Sequence, residues 1–202
     1  MAWLQIIRWK NLAIVLFTQL FAWYFIIYDF RTTGVNGYSL TPPYFFLLAT
    51  ATVLITAAGY IINDYFDIKI DAINRPEKVV LINEIPLKMA IIVHTVLNVV
   101  ALFMCFIVAA RASHYEWLLL QVGCTILLWF YSTHFKRQFV IGNLVVALLT
   151  ALAILVPVIY EPAMYRYIYE PANIVLSPGN YLLNPVWVSL AYCFFAFMLT
   201  WM

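Results

Sequence analysis

Charge is what this sequence has least of. Lys and Arg together number 11 and Asp and Glu 9 among 202 residues, 10% in all, against 66% hydrophobic residues and a mean hydropathy of +0.93. A soluble chain carries about a quarter charged residues, so these side chains are too few to cover a globule in water. The shortage excludes a cytosolic enzyme and a disordered tail, and a net charge of +2 excludes a basic surface for nucleic acid. Cysteine is nearly as scarce. Cys105, Cys124 and Cys193 are odd in number, isolated and inside apolar stretches, with no Cys-x-x-Cys pair, so neither a disulfide framework nor a zinc site is indicated. Low-complexity tracts and short-period repeats are missing too, and no small-residue cleavage site follows the apolar run after Arg8 and Lys10.

What is present is length without charge. A helical crossing of a bilayer takes about 20 mostly apolar residues, and six stretches qualify: 11–28, 44–62, 89–110, 117–131, 139–160 and 185–202. None alternates with the two-residue period of a barrel strand. The expected fold is therefore an all-α, multi-pass transmembrane helical bundle in one domain over 1–202. Breakers separate the spans: Thr41-Pro42-Pro43, Pro86 and Ser177-Pro178-Gly179-Asn180. Arg8, Lys10, Lys69, Arg75, Lys78, Lys88, Lys136 and Arg137 fall on one side of the membrane, and Arg31, Arg111 and Arg166 on the other. The positive-inside rule then places the N-terminus in the cytoplasm. The Tyr- and Pro-rich segment 161–184 becomes an outer, interfacial loop.

The scarce acids are not scattered. Continued past the second span, a helix turning about 100° per residue puts Asn63 at 0°, Asn74 at about 20°, Asp67 at about 40°, Asp71 at about 80° and Asp64 at about 100°. Phe66, Ile70 and Ile73 take the far side, and Pro76 ends the helix or starts a turn. Three carboxylates on one arc repel one another, and a divalent cation relieves that repulsion. Carboxylate and amide oxygens are hard ligands suited to magnesium shared with a substrate phosphate. An EF-hand is excluded, because no glycine occupies its sharp-turn position after Asp67. The alternative is a solvated acidic helix end. On the same side, Tyr131-Ser132-Thr133-His134-Phe135-Lys136-Arg137 supplies cations that could grip a diphosphate, or simply fix topology. Asn11 opens the first span and Asn143 stands near the start of the fifth. His94 and Asn98, one turn apart, read as helix-to-helix hydrogen bonding. Tyr131 is the aromatic residue singled out to face a developing allylic cation.

These residues together resemble the UbiA-type intramembrane prenyltransferases. Asn63, Asp64, Asp67 and Asp71 are similar to that family's first aspartate-rich motif, Arg8-Trp9-Lys10-Asn11 to its first-helix entry, and Tyr131-Ser132, Lys136 and Gly142-Asn143 to its fourth-loop and fifth-helix signature. The resemblance implies nine helices around a lipid-facing cavity, of which six are present, and a second aspartate motif beyond Met202. It implies a membrane enzyme of the bacterial or archaeal cytoplasmic membrane that transfers an isoprenoid chain from a prenyl diphosphate to a hydrophobic acceptor. Asn63 and Asp67 would be direct Mg2+ ligands, and Asp64 and Asp71 would bind a second ion or shape the site. Arg75 and Lys136 would hold diphosphate oxygens, Asn11 would line the acceptor end with Tyr131 and Asn143 nearby, and Asp67, Asp71 and Lys136 would carry the chemistry. Asp71 followed by Asn74-Arg75-Pro76 looks most like the geranylgeranylglycerol-phosphate geranylgeranyltransferase branch, with quinone-ring prenylation second. The chain departs from that branch at Glu77–Asn83, where a second Arg-Pro and a Pro-Ser-Gly usually stand. Readings from other classes are an ion-coupled transporter, which places its carboxylates near the midplane of broken helices, and an inactive membrane scaffold.

Overall fold

The computed structural model describes residues 2–28, 40–74, 80–81, 84–161 and 185–201. Among the described residues there are seven α-helices: α1 (Ala2–Ile6), α2 (Trp9–Ala22, prolonged by a π-helical stretch, Trp23–Tyr28), α3 (Pro42–Asn74), α4 (Leu87–Ala112), α5 (Trp117–Thr133), α6 (Phe139–Ile159) and α7 (Pro185–Trp201). A 3-10 turn, Phe135–Arg137, joins α5 to α6. Among the described residues there is no strand, only an isolated bridge between Leu81 and Ile85. The molecule is an integral membrane protein. The first span with its π-helical extension, α3, α4 and α6 are long and apolar enough to cross a bilayer, while α5 and α7 are shorter apolar helices.

Two boundaries differ from the sequence reading. Pro42 and Pro43 begin α3 instead of preceding it, because a proline in the first turn lacks only an N–H that would have no helical partner there. The Phe45 amide already donates to the Thr41 carbonyl at 2.9 Å. At the N-terminus, α1 stands in front of the first span as a separate short helix. The break between them falls at Arg8, whose φ of 52° and ψ of 54° are left-handed. The α4 end uses the same backbone region: Ser113 has a φ of 61°, and the His114 amide reaches back to the Ala109 carbonyl at 3.0 Å.

The 33 residues of α3 would measure about 50 Å, against about 30 Å of hydrocarbon. Its charged residues all lie in the last turns (Asp64, Asp67, Lys69, Asp71), so it is that end which leaves the membrane. Ile70 and Ile73 on its far side are exposed, and Phe66 packs edge-on against Trp129 of α5. Two apolar clusters hold the bundle at different depths. The larger one lies at the end away from the acids, where Trp23 stacks on Phe45 at 4.6 Å and Trp117 meets Tyr160 at 5.1 Å, above Leu48, Cys105 and Val156. The smaller one joins Ile6 of α1, Ile61 of α3, Ala90 of α4 and Val80, Leu81 and Ile85 of the connecting segment. It fixes α1 beside the acidic end of α3. Between α3 and α4, His94 Nδ1 donates to the Ala58 carbonyl at 2.9 Å and Nε2 accepts from Asn98 Nδ2 at 3.3 Å, as read from their spacing. The Cys105, Cys124 and Cys193 thiols are free.

Two glycines permit close approaches of different kinds. A Cβ on Gly142 of α6 would stand 2.9 Å from the Phe135 carbonyl oxygen, whereas one on Gly59 of α3 would meet the tip of the Leu128 side chain at 3.0 Å. Backbone cannot yield as a leucine tip can. Gly142→Ala is therefore expected to lower stability by about 1–3 kcal/mol. Gly59→Ala is expected to be neutral or mildly stabilising, since alanine gains up to about 1 kcal/mol of helix propensity. Thermal unfolding of the two variants in the same detergent checks the order.

Candidate active site

The acidic end of α3 is internally linked before any other element reaches it. Asn63 and Asp67 stand one turn apart, and Asn63 Nδ2 donates to Asp67 Oδ2 at 3.1 Å and, more weakly, to Asp64 Oδ1 at 3.5 Å. The Asn63 side chain is nearly buried, leaving its Oδ1 to accept from outside the helix. Asp71, a turn further on, lines the same space.

Two cations arrive from two other elements. Lys136 Nζ in the 3-10 turn donates to Asn63 Oδ1 at 3.1 Å and pairs closely with Asp67. Burial pushes the Lys136 ammonium below the usual lysine range, the Asp64 carboxylate works against that, and Arg8 and Arg137 add to it. The second cation is Arg8. Its guanidinium donates to Asp64 Oδ1 at 3.0 Å and lies over the Tyr60 ring with its carbon 5.0 Å from the centroid. The left-handed backbone at Arg8 costs about 1–2 kcal/mol, and the pair itself, 46% and 26% exposed, contributes at most about 1 kcal/mol in return. The arrangement places charge and adds little stability. One turn beyond Arg8, Asn11 Nδ2 donates to the Tyr60 hydroxyl at 3.3 Å, tying α2 to α3 just below the acids.

These groups form the rim of a cavity of about 810 Å³ that descends between α2, α3, α5 and α6. Its walls are mostly apolar, with Ile14, Ile55, Leu128, Leu149 and Val156 among them. The cavity brings together seven of the residues expected from sequence: Asn11, Asn63, Asp64, Asp67, Asp71, Tyr131 and Lys136. Asn143 is placed apart, on an exposed face of α6 outside the lining. Its neighbour Gly142 carries the structural part of that signature by letting α6 pack on the Lys136 turn. Arg75, Lys78 and the segment 162–184 lie outside the described residues.

The sequence assigns no site role to Arg8, Tyr60 or Gln121. Arg8 enters there only through topology and the resemblance of Arg8-Trp9-Lys10-Asn11 to the first-helix entry, and nothing in the chain signals a left-handed turn at an arginine. Its position three residues before Asn11, the polar residue already assigned to this end, was the available clue.

The donor set suits a hard divalent cation in its chemistry, being made of carboxylate and amide oxygens on one helix face. In this arrangement Lys136 and Arg8 engage those oxygens. Among the described residues no three His, Cys, Asp or Glu side chains converge as they would around a metal ion. An acidic arc bridged by two cations at the mouth of an apolar cavity is equipped to receive a polyanion with a hydrocarbon tail. Its basic groups would turn to the anion, leaving the carboxylates to a metal.

The chain is similar to proteins already known. A model of the UbiA prenyltransferase family matches residues 33–202. Similar relatives include the digeranylgeranylglyceryl phosphate synthase of Methanosphaera stadtmanae, 36% identical over 110 residues that make up 54% of this chain and 39% of that protein. The enzyme of the same name from Methanoculleus marisnigri is 36% identical over 122 residues, 58% of this chain and 42% of that one. The chain thus spans about two fifths of the length of these relatives. The fold is similar to that in a solved structure from work on digeranylgeranylglyceryl phosphate synthase in membranes, with a TM-score of 0.67 at 20% identity over 98% of this chain and 74% of that one. With half the chain and more matched by the family model, the chain belongs to the UbiA prenyltransferase family.

Proposed function

We propose that the protein takes part in Mg2+-dependent transfer of a geranylgeranyl group from its allylic diphosphate to a lipid-soluble acceptor, geranylgeranylglyceryl phosphate in ether-lipid synthesis. The observation that carries this reading is the junction of the acidic arc, Lys136 and Arg8 with the mouth of an apolar cavity. The family supports prenyl transfer over ion-coupled transport or a scaffold, and the relatives' names support a glyceryl phosphate acceptor over a quinone ring.

On this reading the diphosphate sits at the rim and the prenyl chain enters the cavity. Lys136 and Arg8 give their hydrogen bonds to diphosphate oxygens, Arg by its fork and Lys as a point charge. Mg2+ held by Asn63, Asp64, Asp67 and Asp71 would neutralise the diphosphate and ease its departure. The bond between the allylic carbon and the diphosphate oxygen breaks, and its electron pair leaves with the diphosphate. Tyr131 presents its ring to the positive charge that develops. The acceptor hydroxyl oxygen, brought to the Asn11 end, forms the new bond to that carbon. Its proton passes to a carboxylate of the arc or to the departed diphosphate. The apolar walls keep out water that would otherwise capture the cation. The acidic end and the N-terminus are assigned to the cytoplasm, supported by Arg8, Lys10, Lys69, Lys88, Lys136 and Arg137, which all lie at the end of the bundle where α2 begins and α3 ends.

Membranes containing the full-length protein should release diphosphate from geranylgeranyl diphosphate when given the acceptor. EDTA should abolish that release and excess Mg2+ should restore it. Asp67→Ala and Asp71→Ala are each expected to lose about 100-fold or more in kcat/KM. Full activity in both variants would remove the metal assignment. The two cations call for a different signature. Lys136→Met and Arg8→Gln should raise the KM for the donor by about tenfold or more, the scale of a lost charge-assisted hydrogen bond. Arg8→Gln should move the unfolding free energy by less than about 1 kcal/mol. Donor titrations with thermal unfolding of the same samples separate binding from folding.

A further inference from the structure

Asp64 is not the only group that holds Arg8. The guanidinium carbon also stands 5.0 Å from the centre of the Tyr60 ring, one turn down α3 from Asp64. The Tyr60 hydroxyl accepts from Asn11 Nδ2 at 3.3 Å, and the Asn11 amide donates to the Arg8 carbonyl at 2.8 Å. Arg8, Asn11 and Tyr60 thus close a ring of three contacts, and all three line the cavity. The chain is anchored on both sides of that ring. Ile6, two residues before Arg8, and Ile61, next to Tyr60, are buried in the same apolar cluster.

The two holds on Arg8 differ in kind. Asp64 takes a hydrogen bond from the guanidinium, and on the reading above that carboxylate turns to a metal when the anion arrives. With no second hold, an arginine that is 46% exposed and near another cation, Lys136, would then lose its place at the rim. The face of an aromatic ring attracts the charge through its quadrupole. That attraction needs no acceptor oxygen, so the N–H donors of the fork stay available to an anion. The geometry points to Tyr60 as a positioning residue for the donor's diphosphate: its ring keeps the Arg8 guanidinium at the rim while the N–H groups pass from Asp64 to diphosphate oxygens. Its hydroxyl, through Asn11, fixes that ring to α2. This rests on the prenyl reading above and adds to it a side chain that acts through Arg8 and not on the donor itself.

The test is the affinity of the full-length protein, in detergent with Mg2+, for an unreactive geranylgeranyl thiolodiphosphate. Tyr60→Phe keeps the ring and should weaken binding by about threefold at most. Tyr60→Leu should weaken it about fivefold further, the scale of one cation–π contact. Joined to Arg8→Gln, it should cost nothing beyond Arg8→Gln alone, because the ring acts through the guanidinium. A series that does not depend on how Tyr60→Leu folds places phenylalanines with one, two and three ring fluorines at position 60. These keep the shape of the ring and drain its negative face, so affinity should fall step by step from the phenylalanine level toward the leucine level. A side chain needed only for packing would leave that series flat. A flat series, or losses that add in the double variant, overturns the inference. The prenyl reading fails on a different result, the unsubstituted protein binding inorganic diphosphate as tightly as the thiolodiphosphate.

Discussion

The arrangement at the rim depends on one constraint: carboxylates on a narrow helix face beside a membrane cannot be left to repel one another. Asp64 and Asp67 are three residues apart on α3, and Asp71 lies on the same arc. Each of the first two is answered by a cation from a different element, Arg8 at the α1–α2 junction and Lys136 in the turn between α5 and α6. At those two ion pairs three separate stretches of chain meet. The features that look odd in isolation follow from it. Arg8 accepts a left-handed backbone so that α1 can turn back against α3 while its side chain reaches Asp64, and Gly142 gives up its Cβ so that α6 can start directly beneath the Lys136 turn.

Much of this was legible because the residues involved are rare in their setting. Six apolar stretches separated by breakers mark six of the seven described helices, α1 being the one not marked, and their boundaries fall within about two residues except at the end of α3, which runs twelve residues past its apolar stretch to Asn74. The arc of Asn63, Asp64, Asp67 and Asp71 could be drawn from helical periodicity alone, since α3 runs unbroken to Asn74. Partners were harder to read. Topology puts both Lys136 and Arg8 on the side of the acids and each falls in a family signature, but only Lys136 has the sequence environment of a diphosphate ligand. The role of Arg8 follows from a backbone conformation that arginine does not favour. Asn143, drawn from the same signature as Lys136, stands outside the cavity. In a helix start that packs on a tight turn, neighbouring positions point in different directions, and spacing along the chain does not say which one faces inward.

Gln121 escaped for another reason. A single amide in the apolar run of α5 reads as one more interhelical hydrogen bond, the role that His94 fills between α3 and α4 while Asn98 bonds to His94 within its own helix. Only the packing shows that Gln121 borders the cavity, with its side-chain nitrogen buried above Tyr160. Gln19, also fully buried, spends its Nε2 on the Ala153 carbonyl at 3.0 Å and stays out of the lining. The same residue type on two helices of one bundle thus stands in two settings, one bordering the cavity and one not, and composition cannot separate them.

The scarcity of charge takes on a second meaning once the cavity is included. A membrane protein needs apolar residues outward to meet lipid, and that alone explains Phe17, Phe21, Leu119 and Phe195 on exposed faces. An ordinary bundle buries its inward faces against one another. Here Ile14, Ile55, Leu128 and Leu149 face an interior space instead, so apolar side chains are required on both sides of the same helices. Such a chain can carry charge only at helix ends, and the ends facing the rim must hold both signs at once. The acids alone would repel and the cations alone would bind any anion. Together they neutralise each other; on the proposed reading a ligand would bring negative charge for the cations and, with it, a metal for the carboxylates. Arg8, Asp64, Asp67, Asp71 and Lys136 therefore stand where an apolar interior meets water, a place where a charged head group and a hydrocarbon chain can be held by the same site.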